Sequence, residues 1–374
     1  MESTGIFDLK RRNRSNVYSY IYSNKHCAKQ EIAAALNLSL PTVSQNLKDL
    51  FESNFIINGG LYESTGGRKA AILQCKADAK VAVGVEILKD YSYVTLCDLY
   101  GNALKSDSLR LTYKNDETYF SAVGYWIKAF IKEVDYASDQ ILGIAIATQG
   151  IVSNDLQTVI YGRILNNQGV NTQHFSKYIG QPCVLLHDSK AAAFAESFYH
   201  PQLKDTCYIF LNRNLGSATI MNHEVFSGNH ARGQILEHMS LFPGGRQCYC
   251  GKTGCTECYC SANSLMETAG EDLDSFFMNL RVGSDTRISI WNEYLQFLSL
   301  AIYNVLMVQD LDIIIGGKIR PFMNEEDLKK LLRFVRARSD FEIPDSAIIL
   351  EQCLDHPAAR GAALHYIKQF LAEF

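Results

Sequence analysis

The 374-residue sequence contains no uninterrupted apolar stretch that approaches the roughly 18 residues a membrane-spanning helix requires. Its first residues, MESTGIFDLKRRNRS, include no apolar core of the kind that a secretory signal has. Neither sign of charge dominates, because 36 lysines and arginines face 40 aspartates and glutamates, for a formal net charge of −4. These absences argue against a membrane protein and against export, and we therefore expect a cytoplasmic protein.

The length and the charge distribution indicate more than one unit. A chain of this size is expected to form two or three domains. Residues 1–78 carry ten Lys/Arg against seven Asp/Glu, whereas the remainder carries 26 against 33. A weakly basic head on an acidic body indicates that the two parts meet different partners.

Residues 1–78 have the pattern of an α+β winged helix-turn-helix domain. Apolar residues at helical spacing predict helices over three segments, 13–24, 28–37 and 39–54. Residues 55–75 read as two strands around a Gly-rich tip. Ser39 can cap the third helix and Pro41 suits its first turn, whereas Ala28 stands where a capping serine would help the second helix.

In such a domain the third helix enters the major groove with its first residues facing base edges. The residues of this helix predicted to contact DNA are Pro41, Thr42, Ser44, Gln45 and Lys48. Among them, Gln45 could pair with adenine and Lys48 is placed for a phosphate. The tip of the hairpin offers Arg68 and Lys69 to phosphate or to the minor groove. The alternative is a small helical dimerisation domain whose polar residues are merely solvated.

From residue 79 onward, strands alternate with helices, which predicts an α/β architecture. Strand hairpins followed by helices occur twice, which suggests two lobes with a cleft between them, a common place for ligands. We place the lobes at 79–200 and 201–355. The C-terminal helix, about 356–374, is expected to return to the first lobe.

Five of the eleven cysteines lie within CYCGKTGCTECYC, residues 248–260. In a reducing compartment such a cluster favours a metal site over a set of disulfides. Cys248, Cys250 and Cys255 offer three thiolates on one tight loop, and His238 can supply a fourth ligand. Three cysteines and one histidine make a closed tetrahedral zinc set, so the predicted zinc is structural.

Two cysteines of the cluster are surplus to this set. Cys258 and Cys260 could compete for the metal, or they could be ordinary packed or exposed thiols. We expect the second outcome because both lie beyond Glu257, outside the spacing of the ligand set. A cluster that binds no metal at all is the remaining alternative.

The stretch GQILEHMSLFPGGRQCYCGKTGCTECYCS resembles the signature of the ROK family of repressors, open reading frames and kinases. That family shows Gly-Glu-x-Gly-His and, about ten residues on, Cys-x-Cys-Gly-x-x-Gly-Cys-x-Glu. The head followed by STGGRK resembles the sugar-responsive repressors of the family, of the xylose, N-acetylglucosamine and glucose regulon type. The resemblance implies a two-lobed actin/hexokinase-like (ribonuclease H-like) sugar-kinase fold, the same four zinc ligands and a sugar cleft.

The resemblance also implies a general base beside the sugar. The kinases of the family carry Glu-Asn-Asp-x-Asn-Ala at a strand end, and here the corresponding stretch reads LHDSKA. Asp188 matches the kinases' base, which makes it a vestigial base candidate, while His187 and Lys190 replace the two asparagines. Asp188 could alternatively serve only as a helix N-cap.

Further sugar contacts follow from the same resemblance. Gln234 and Glu237 stand where the family has its Glu and the Gly before the histidine, and Glu257 matches a Glu that binds sugar hydroxyls. In RILNNQG (163–169) an isoleucine occupies the place of a sugar-binding asparagine, and either following asparagine could compensate. His238 would serve both zinc and sugar, since one ring nitrogen stays free. The predicted sugar contacts are Asn166, Asn167, His187, Asp188, Gln234, Glu237, His238 and Glu257.

The elements that a kinase needs for phosphate are eroded. The family's Asp-x-Gly-Gly-Thr, whose Asp helps to hold magnesium and whose glycines let amides approach phosphate, reads VEILKDY here. Glu86 takes the Asp position, and Leu88 and Lys89 bring side chains into the phosphate space. A second loop keeps only Gly216, whereas IIIGGK (313–318) keeps both of its glycines. We therefore predict no catalytic residue.

These features together predict a DNA-binding transcriptional regulator of carbohydrate genes, in the first instance a repressor, whose body senses a sugar or sugar derivative. Ligand-dependent lobe closure would move the heads of a homodimer or homotetramer relative to half-sites about one helical turn apart. One alternative is an active ATP-dependent sugar kinase fused to a DNA-binding domain, which the retained Asp188 supports. Another is a regulator controlled by a protein partner, since some family members are sequestered by transport proteins.

Overall fold

The computed structural model describes residues 2–62, 71–353 and 355–374, with side chains from Leu9 onward. Within these residues the chain forms a helical head with a two-stranded hairpin, followed by a body built on two five-stranded sheets. The predicted wing-tip contacts Arg68 and Lys69 lie outside the described residues. Of the helices described, none is both long and apolar enough to cross a membrane.

The head contains the predicted three helices and hairpin. Its elements are α1 (Glu2–Asn24), α2 (Lys29–Leu36), α3 (Leu40–Glu52), β1 (Ile56–Leu61) and β2 (Ala71–Cys75). The first helix begins well before the predicted residue 13. The early part of α1 shows no apolar periodicity to reveal a helix, although its Leu, Lys and Arg residues are good helix formers.

The helix starts of the head follow the expected capping chemistry. The hydroxyl of Ser39 accepts the N–H of Thr42 at 3.3 Å, which confirms the predicted cap of α3. Ala28 has no side chain to cap α2, and the carboxylate of Glu31 accepts the N–H of Ala28 at 2.6 Å instead. The recognition helix is therefore anchored by a conventional cap, which fixes where its exposed face begins.

The first sheet of the body has the strand order β5-β4-β3-β6-β9. Its strands are β3 (Val81–Ile87), β4 (Ser92–Cys97), β5 (Ala103–Leu109), β6 (Ile141–Thr148) and β9 (Val184–His187). The strands β3, β4 and β5 are antiparallel neighbours, whereas β6 and β9 run parallel to β3. The accompanying elements are α4 (Glu117–Glu133), β7 (Ile151–Val152), β8 (Val159–Tyr161), α5 (Gln173–Ile179) and α6 (Asp188–Tyr199).

The second sheet has the order β12-β11-β10-β13-β14. Its strands are β10 (Thr206–Leu211), β11 (Leu215–Met221), β12 (Glu224–Val225), β13 (Asp312–Gly316) and β14 (Ile348–Leu350). The helices of this part are α7 (Glu257–Cys260), α8 (Ala262–Ala269), α9 (Leu273–Arg281), α10 (Asp285–Leu306) and α11 (Glu325–Arg336). The last helix of the chain is α12 (Pro357–Glu373).

Both sheets share one topology. Numbered along the chain, the strands of each sheet lie in the order 3-2-1-4-5, with the first three antiparallel and the last two parallel to the first. This repeat of one α/β unit confirms the predicted two-lobed, ribonuclease H-like fold behind a winged helix-turn-helix head. The domain boundaries at 78 and 200 stay predictions.

Helix α12 packs against α6 and against β3, β4 and β6 of the first sheet. Two glycines permit this close approach. A Cβ on Gly84 would collide with the carbonyl oxygen of Ala359, and one on Gly361 would collide with that of Ala191. The C-terminal helix therefore lies directly on the first sheet, as the sequence predicted.

The head and the body share a hydrophobic core. Val17 and Ile21 of α1 are fully buried in the same cluster as Leu364 and Ile367 of α12. The ring of Phe374, at the end of the chain, lies with its centroid 4.1 Å from that of Tyr18. The helical head is thus docked on the body through α12.

Candidate functional site

The cysteine loop lies between a 3-10 turn at Leu236–His238 and α7. Its backbone folds back on itself, with the N–H of Cys248 bonded to the carbonyl of Lys252 at 2.8 Å and the N–H of Gly254 bonded to that of Arg246 at 2.8 Å. Gly254 has φ +79°, and a Cβ there would collide with a neighbouring carbonyl. This turn brings sulfurs together that are five and seven residues apart.

The four predicted metal ligands converge. One ligand atom each from His238, Cys248, Cys250 and Cys255 lies within 4.8 Å of the others. The sulfurs of Cys250 and Cys255 are 3.7 Å apart, and the sulfur of Cys248 is 3.8 Å from Nδ1 of His238. Tetrahedral zinc with Zn–S bonds of about 2.3 Å requires sulfurs about 3.8 Å apart, so this donor set is compatible with zinc.

The surplus cysteines lie outside this group of four. The thiol of Cys258 donates to the carbonyl of Gln247 at 3.5 Å, and Cys260 is fully buried in the hydrophobic core. The zinc assignment of the other three cysteines stays a prediction, since it rests on the geometry of the donor atoms. The positions of Cys258 and Cys260 agree with their predicted role as bystanders.

His238 connects the cysteine cluster to a cavity between the lobes. Its Nδ1 faces the sulfur of Cys248, while the residue also lines a small cavity of about 40 Å³, here called the cleft cavity. Burial, followed by the charges of Lys252 and Arg163, lowers the pKa of His238, which favours the neutral imidazole that a metal binds. One histidine can therefore hold a metal and face a ligand at once.

The cleft cavity contains four of the eight predicted sugar contacts, namely His187, Asp188, Glu237 and His238. Other polar residues that line it were not predicted, namely Gln149, Tyr161, Arg163, Ser189, Asn214 and Tyr249. The arrangement offers several hydrogen-bond donors and acceptors within a small enclosed space. Such a lining suits a polyhydroxylated ligand.

Asp188 opens α6 at the floor of this cavity and is only 5% exposed. Its Oδ1 accepts the N–H and the hydroxyl of Ser189, at 2.8 and 3.2 Å. Burial raises the pKa of Asp188 to about 7, with a further contribution from the charge of Glu86. Burial and the Lys190 ammonium lower the pKa of the neighbouring His187 to about 3, so the two side chains, 3.4 Å apart, form no ion pair at neutral pH.

Two further carboxyl groups, those of Glu237 and Glu257, lie at or near the cleft cavity. Glu237 is buried and accepts the hydroxyl of Ser217 at 3.2 Å, and burial raises its pKa to about 8. Glu257 does not line the cavity, but it accepts Asn214 Nδ2 at 2.9 Å and the N–H of Leu215 at 2.6 Å. Burial raises the pKa of Glu257 to about 7. Glu257 therefore holds two cavity residues in place rather than facing the cavity itself.

Three other predicted sugar contacts also lie outside the cavity lining. Asn166 has φ +52° and an exposed side chain, so the turn directs it outward. Asn167 is 1% exposed and donates to Thr148 Oγ1 and to the Gln149 carbonyl, at 3.2 and 3.0 Å, so it supports the cavity wall. Gln234 accepts the hydroxyl of Thr219 and donates to a cysteine sulfur. In this arrangement none of these three side chains lines the cavity.

Glu86 stands where the kinases of the family have an aspartate, and its carboxylate contacts another residue of the protein. Glu86 is 4% exposed near the end of β3, and its Oε2 accepts Nδ1–H of His356 at 3.2 Å. The His356 ring is stacked on Tyr93, with centroids 3.5 Å apart. The eroded stretch continues with Leu88 and Lys89, which line the neighbouring cleft. The carboxylate that would hold magnesium in a kinase is thus engaged within the protein.

The glycines that remain from the phosphate elements have packing roles. A Cβ on Gly216 would collide with the hydroxyl of Ser189, and a Cβ on Gly316 would collide with the hydroxyl of Tyr208. These positions need glycine because a neighbouring side chain approaches the backbone. Their presence therefore does not indicate a nucleotide site.

Beside the cleft cavity lies a wider space of about 500 Å³, here called the cationic cleft. Four positively charged residues line it, namely Lys89, Arg163, Arg213 and Lys318, and Arg163 also lines the cleft cavity. Among the described residues, Asp90 is the acidic group that faces them, 3.1 Å from Arg213. Because these charges are only partly balanced, the cleft favours anionic groups.

The predicted DNA-contacting residues of α3 divide into two groups. Pro41, Gln45 and Lys48 are exposed on one face of the helix. The hydroxyl of Thr42 is bonded to that of Ser39 at 2.8 Å, and the hydroxyl of Ser44 donates to the carbonyl of Leu40 at 2.7 Å, so Ser44 retains only acceptor capacity. Gln45 Nε2 donates to Asp49 at 2.8 Å and Lys48 pairs with Glu52 at 3.7 Å, bonds that DNA would replace.

Sequence reasoning missed Tyr161, Arg163 and Tyr249, and a local signal existed for one of them. Tyr249 lies between two predicted zinc ligands, so a loop that places His238 beside the cavity also brings this ring there. Tyr161 and Arg163 follow from the β7–β8 hairpin, which the sequence pattern did not reveal because β7 has only two residues. The part of the cavity wall that this hairpin forms could be identified only from the three-dimensional structure.

Comparisons with known proteins match the head and the body of the chain separately. A family model described as the ROK family matches residues 82–369, and one described as winged helix-turn-helix DNA-binding matches residues 10–57. The chain is 22% identical, over 354 residues, to a protein of Caldicellulosiruptor bescii named xylose repressor. That alignment covers 88% of this chain and 89% of the relative.

Two solved structures show the same fold. One is a ROK family transcriptional regulator described as a homologue of the Escherichia coli MLC protein, with a TM-score of 0.75, 20% identity, and coverage of 97% of this chain and 96% of the other. The second is a ROK family glucokinase from Streptomyces griseus, solved with glucose and AMPPNP, with a TM-score of 0.68 and 18% identity. That match covers 76% of this chain and 98% of the glucokinase.

Proposed function

The chain belongs to the ROK family, and we propose that it is a sugar-responsive transcriptional repressor that binds DNA through its winged helix-turn-helix head. One observation carries the proposal. The cleft cavity keeps its polar residues, whereas the carboxylate at the magnesium position, Glu86, is engaged by His356. A protein that binds a sugar without phosphorylating it needs the polar cavity, but it does not need a carboxylate that is free to hold magnesium.

The residues that would contact the sugar are His187, Asp188, Glu237 and His238, together with Arg163. The cavity of about 40 Å³ is far smaller than the roughly 300–1,000 Å³ of most small-molecule sites. A sugar ring is therefore accommodated when the lining widens or when the ring extends into the cationic cleft, which shares Gln149, Arg163 and Tyr249 with this cavity. A ligand that binds the widened arrangement better than the narrow one shifts the balance between them, which is the physical requirement for a sensor.

Helix α12 supports a path from this cavity to the DNA. It begins beside His356, which contacts Glu86, and it ends at Phe374, which packs on Tyr18 in the head. A helix of this length spans about 25 Å and moves as one body. We propose that a change in lobe separation tilts α12 and the head with it. In a homodimer or homotetramer, this changes the distance between two recognition helices that must match half-sites about 34 Å apart.

Zinc has a structural role in this proposal. When bound by Cys248, Cys250, Cys255 and His238, zinc would supply a closed four-coordinate crosslink with no open position for chemistry. Such a crosslink would fix the loop that carries Tyr249 and would hold His238, which also lines the cavity. As a DNA-binding repressor, the protein is proposed to act in the cytoplasm.

A second candidate is an active sugar kinase with a fused head. The observation that favours it is Asp188, whose pKa of about 7 suits a general base near neutral pH. Against it stands the Glu86–His356 contact and the loss of two glycines before Asp90. A coupled assay of ADP release across hexoses and pentoses separates the two candidates, since sustained turnover that needs Asp188 would establish the kinase.

The repressor is tested by a thermal-shift screen of matched sugars and sugar phosphates, followed by binding to genomic DNA fragments with and without each hit. A ligand at 100 times its Kd stabilises the fold by about 2.7 kcal/mol, which such a screen detects readily. The expected result is one ligand class that both stabilises the protein and alters DNA binding. Tight sugar binding that leaves DNA affinity unchanged would refute the coupling.

A further inference from the structure

A second cavity in the body has the size of a ligand site. It measures about 400 Å³, lies against α6 and α12, and is here called the α6–α12 cavity. It shares only His187 with the cleft cavity. Its volume falls within the range of small-molecule sites, unlike that of the cleft cavity.

The α6–α12 cavity is enclosed by parts that the fold brings together from across the chain. Val152 and Leu156 come from the β7–β8 hairpin, Phe194 from α6, Val225 from β12 of the second sheet and Gly361 from α12. The side chains among these are apolar, whereas polar residues, including Asn154, His365 and Gln369, line other parts of the wall. The cavity therefore favours a ligand with an apolar body, and such a ligand would touch both lobes and α12 at once.

Most charged or titratable groups around this space are already neutralised. Lys368 lies 2.6 Å from the Glu224 carboxylate, donates to the His223 carbonyl at 3.1 Å and lies over the Phe194 ring. Burial, followed by the charge of Lys368, lowers the pKa of His365, which leaves it neutral. The buried His187 is neutral for the same kind of reason. None of these groups requires a charged partner from outside.

Lys190 differs from them. It is partly buried on α6, and its Nζ donates to the carbonyl of Ala231 at 3.2 Å. Within the described part of the chain no carboxylate lies within ion-pair distance of it. Burial lowers the pKa of Lys190, which reflects the cost of an ammonium without a counter-charge. A carbonyl uses one of its three donors, so two remain for a ligand.

We propose that the α6–α12 cavity binds a small organic anion with an apolar body, whose charged group pairs with Lys190. The apolar walls accept the body, and the ammonium accepts a carboxylate or a similar group at one end. Because the occupant contacts both lobes and α12, its binding stabilises their relative arrangement by mass action. This site is spatially distinct from the sugar site, since the two cavities share only the side chain of His187.

Calorimetry on the full-length protein tests the proposal with a matched pair of probes, 4-phenylbutanoate and 4-phenylbutan-1-ol. The carboxylate is expected to bind once per chain and more tightly than the alcohol. In Lys190→Met, which keeps the length but removes the charge, carboxylate affinity should fall by about tenfold or more while alcohol affinity stays unchanged. Lys132→Met, on the exposed end of α4, is the matched control and should leave both affinities as they are.

A second variant keeps the proposal testable if Lys190→Met does not fold. Val225→Phe narrows the cavity from the edge strand β12 and should weaken both probes, because it removes space and leaves the charge. The proposal is overturned by the absence of saturable carboxylate binding up to about 10 mM, or by carboxylate affinity that neither variant changes. A failure of every sugar to bind would count against the repressor proposal and would leave this result intact.

Discussion

His356 Nδ1 lies 3.2 Å from Glu86 Oε2, and this contact joins the first strand of the body to the start of its last helix. The two residues are 270 positions apart in the chain. In a kinase of this fold the strand end would face magnesium and phosphate. Here it contacts the start of the helix that packs against the head.

The far end of that helix provides the first prediction. Phe374 packs on Tyr18 and Phe55, with ring centroids 4.1 and 4.8 Å apart. Phe374→Ala should keep the ligand-induced thermal shift, since the cleft cavity is untouched, but it should reduce the effect of ligand on DNA affinity to less than about twofold. Allosteric coupling usually amounts to about 5–150-fold. Fluorescence anisotropy of a bound DNA fragment, with and without ligand, measures the change.

The control for this prediction is Phe341→Ala, because Phe341 is 72% exposed in the second lobe, away from the head. That variant should behave as the unaltered protein in both measurements. Full ligand control of DNA binding in Phe374→Ala would show that α12 does not carry the signal.

The second prediction concerns the metal. Cys250→Ser should lower the zinc content from one ion per chain to nearly none and lower the Tm by roughly 10 °C, because a three-ligand set no longer closes the loop. Cys258→Ser, eight residues on, is the matched control and should keep both zinc and Tm. Elemental analysis and thermal unfolding decide the matter, and equal zinc loss in the two variants would contradict the assigned ligands.

The third prediction is a pH dependence of stability. Burial raises the pKa of Asp188 from its ordinary value of 3.8 to about 7, so the folded protein keeps a proton there that the unfolded chain releases. This carboxyl therefore contributes stability that is full below about pH 4 and is lost as pH rises through about 7. In Asp188→Asn the amide cannot ionise, so the fall in unfolding free energy between pH 5 and 8 should shrink by about 2 kcal/mol or more.

Chemical denaturation at a series of pH values measures this difference. Asp139→Asn is the control, because the Asp139 side chain is 82% exposed and its removal should leave the slope unchanged. Parallel curves for Asp188→Asn and the unaltered protein would mean that Asp188 is ionised in the fold.

The fourth prediction separates two kinds of contact on α3. Gln45→Ala should cost about 1–3 kcal/mol against the specific DNA site and little against random DNA, since this exposed residue of α3 is predicted to face base edges. Lys48→Ala should weaken both kinds of DNA alike and reduce the slope of log affinity against log salt by about one. If Gln45→Ala weakens specific and random binding equally, α3 is not the reading helix.

The zinc ligands could be predicted because their geometry is almost local. Cys248, Cys250 and Cys255 lie on one loop, and glycine at position 254 already indicates how that loop turns. The distant His238 follows from the family pattern, and the structure brings it to the same point. The order of elements in the body likewise predicted two lobes, because periodicity reveals where strands and helices alternate.

The residues that line the proposed sugar site could be predicted only in part. Asn166 and Asn167 are adjacent, yet the left-handed backbone at Asn166 turns its side chain out while Asn167 is buried beneath the wall. Whether a polar residue faces a cavity or supports it depends on single φ values and on neighbours from other strands. Glu257 shows the same limit, since its bonds to Asn214 and Leu215 arise only when α7 meets β11.

The shared 3-2-1-4-5 strand order gives the two lobes equivalent parts. The turn after the first strand in each sheet, at Asp90 in one and at Arg213 in the other, points into the same cleft, where their side chains form an ion pair 3.1 Å long. The two lobes therefore touch across the cleft at equivalent positions of the same fold unit. Because that contact is half exposed, salt screens it, and the contact contributes little to holding the two lobes together.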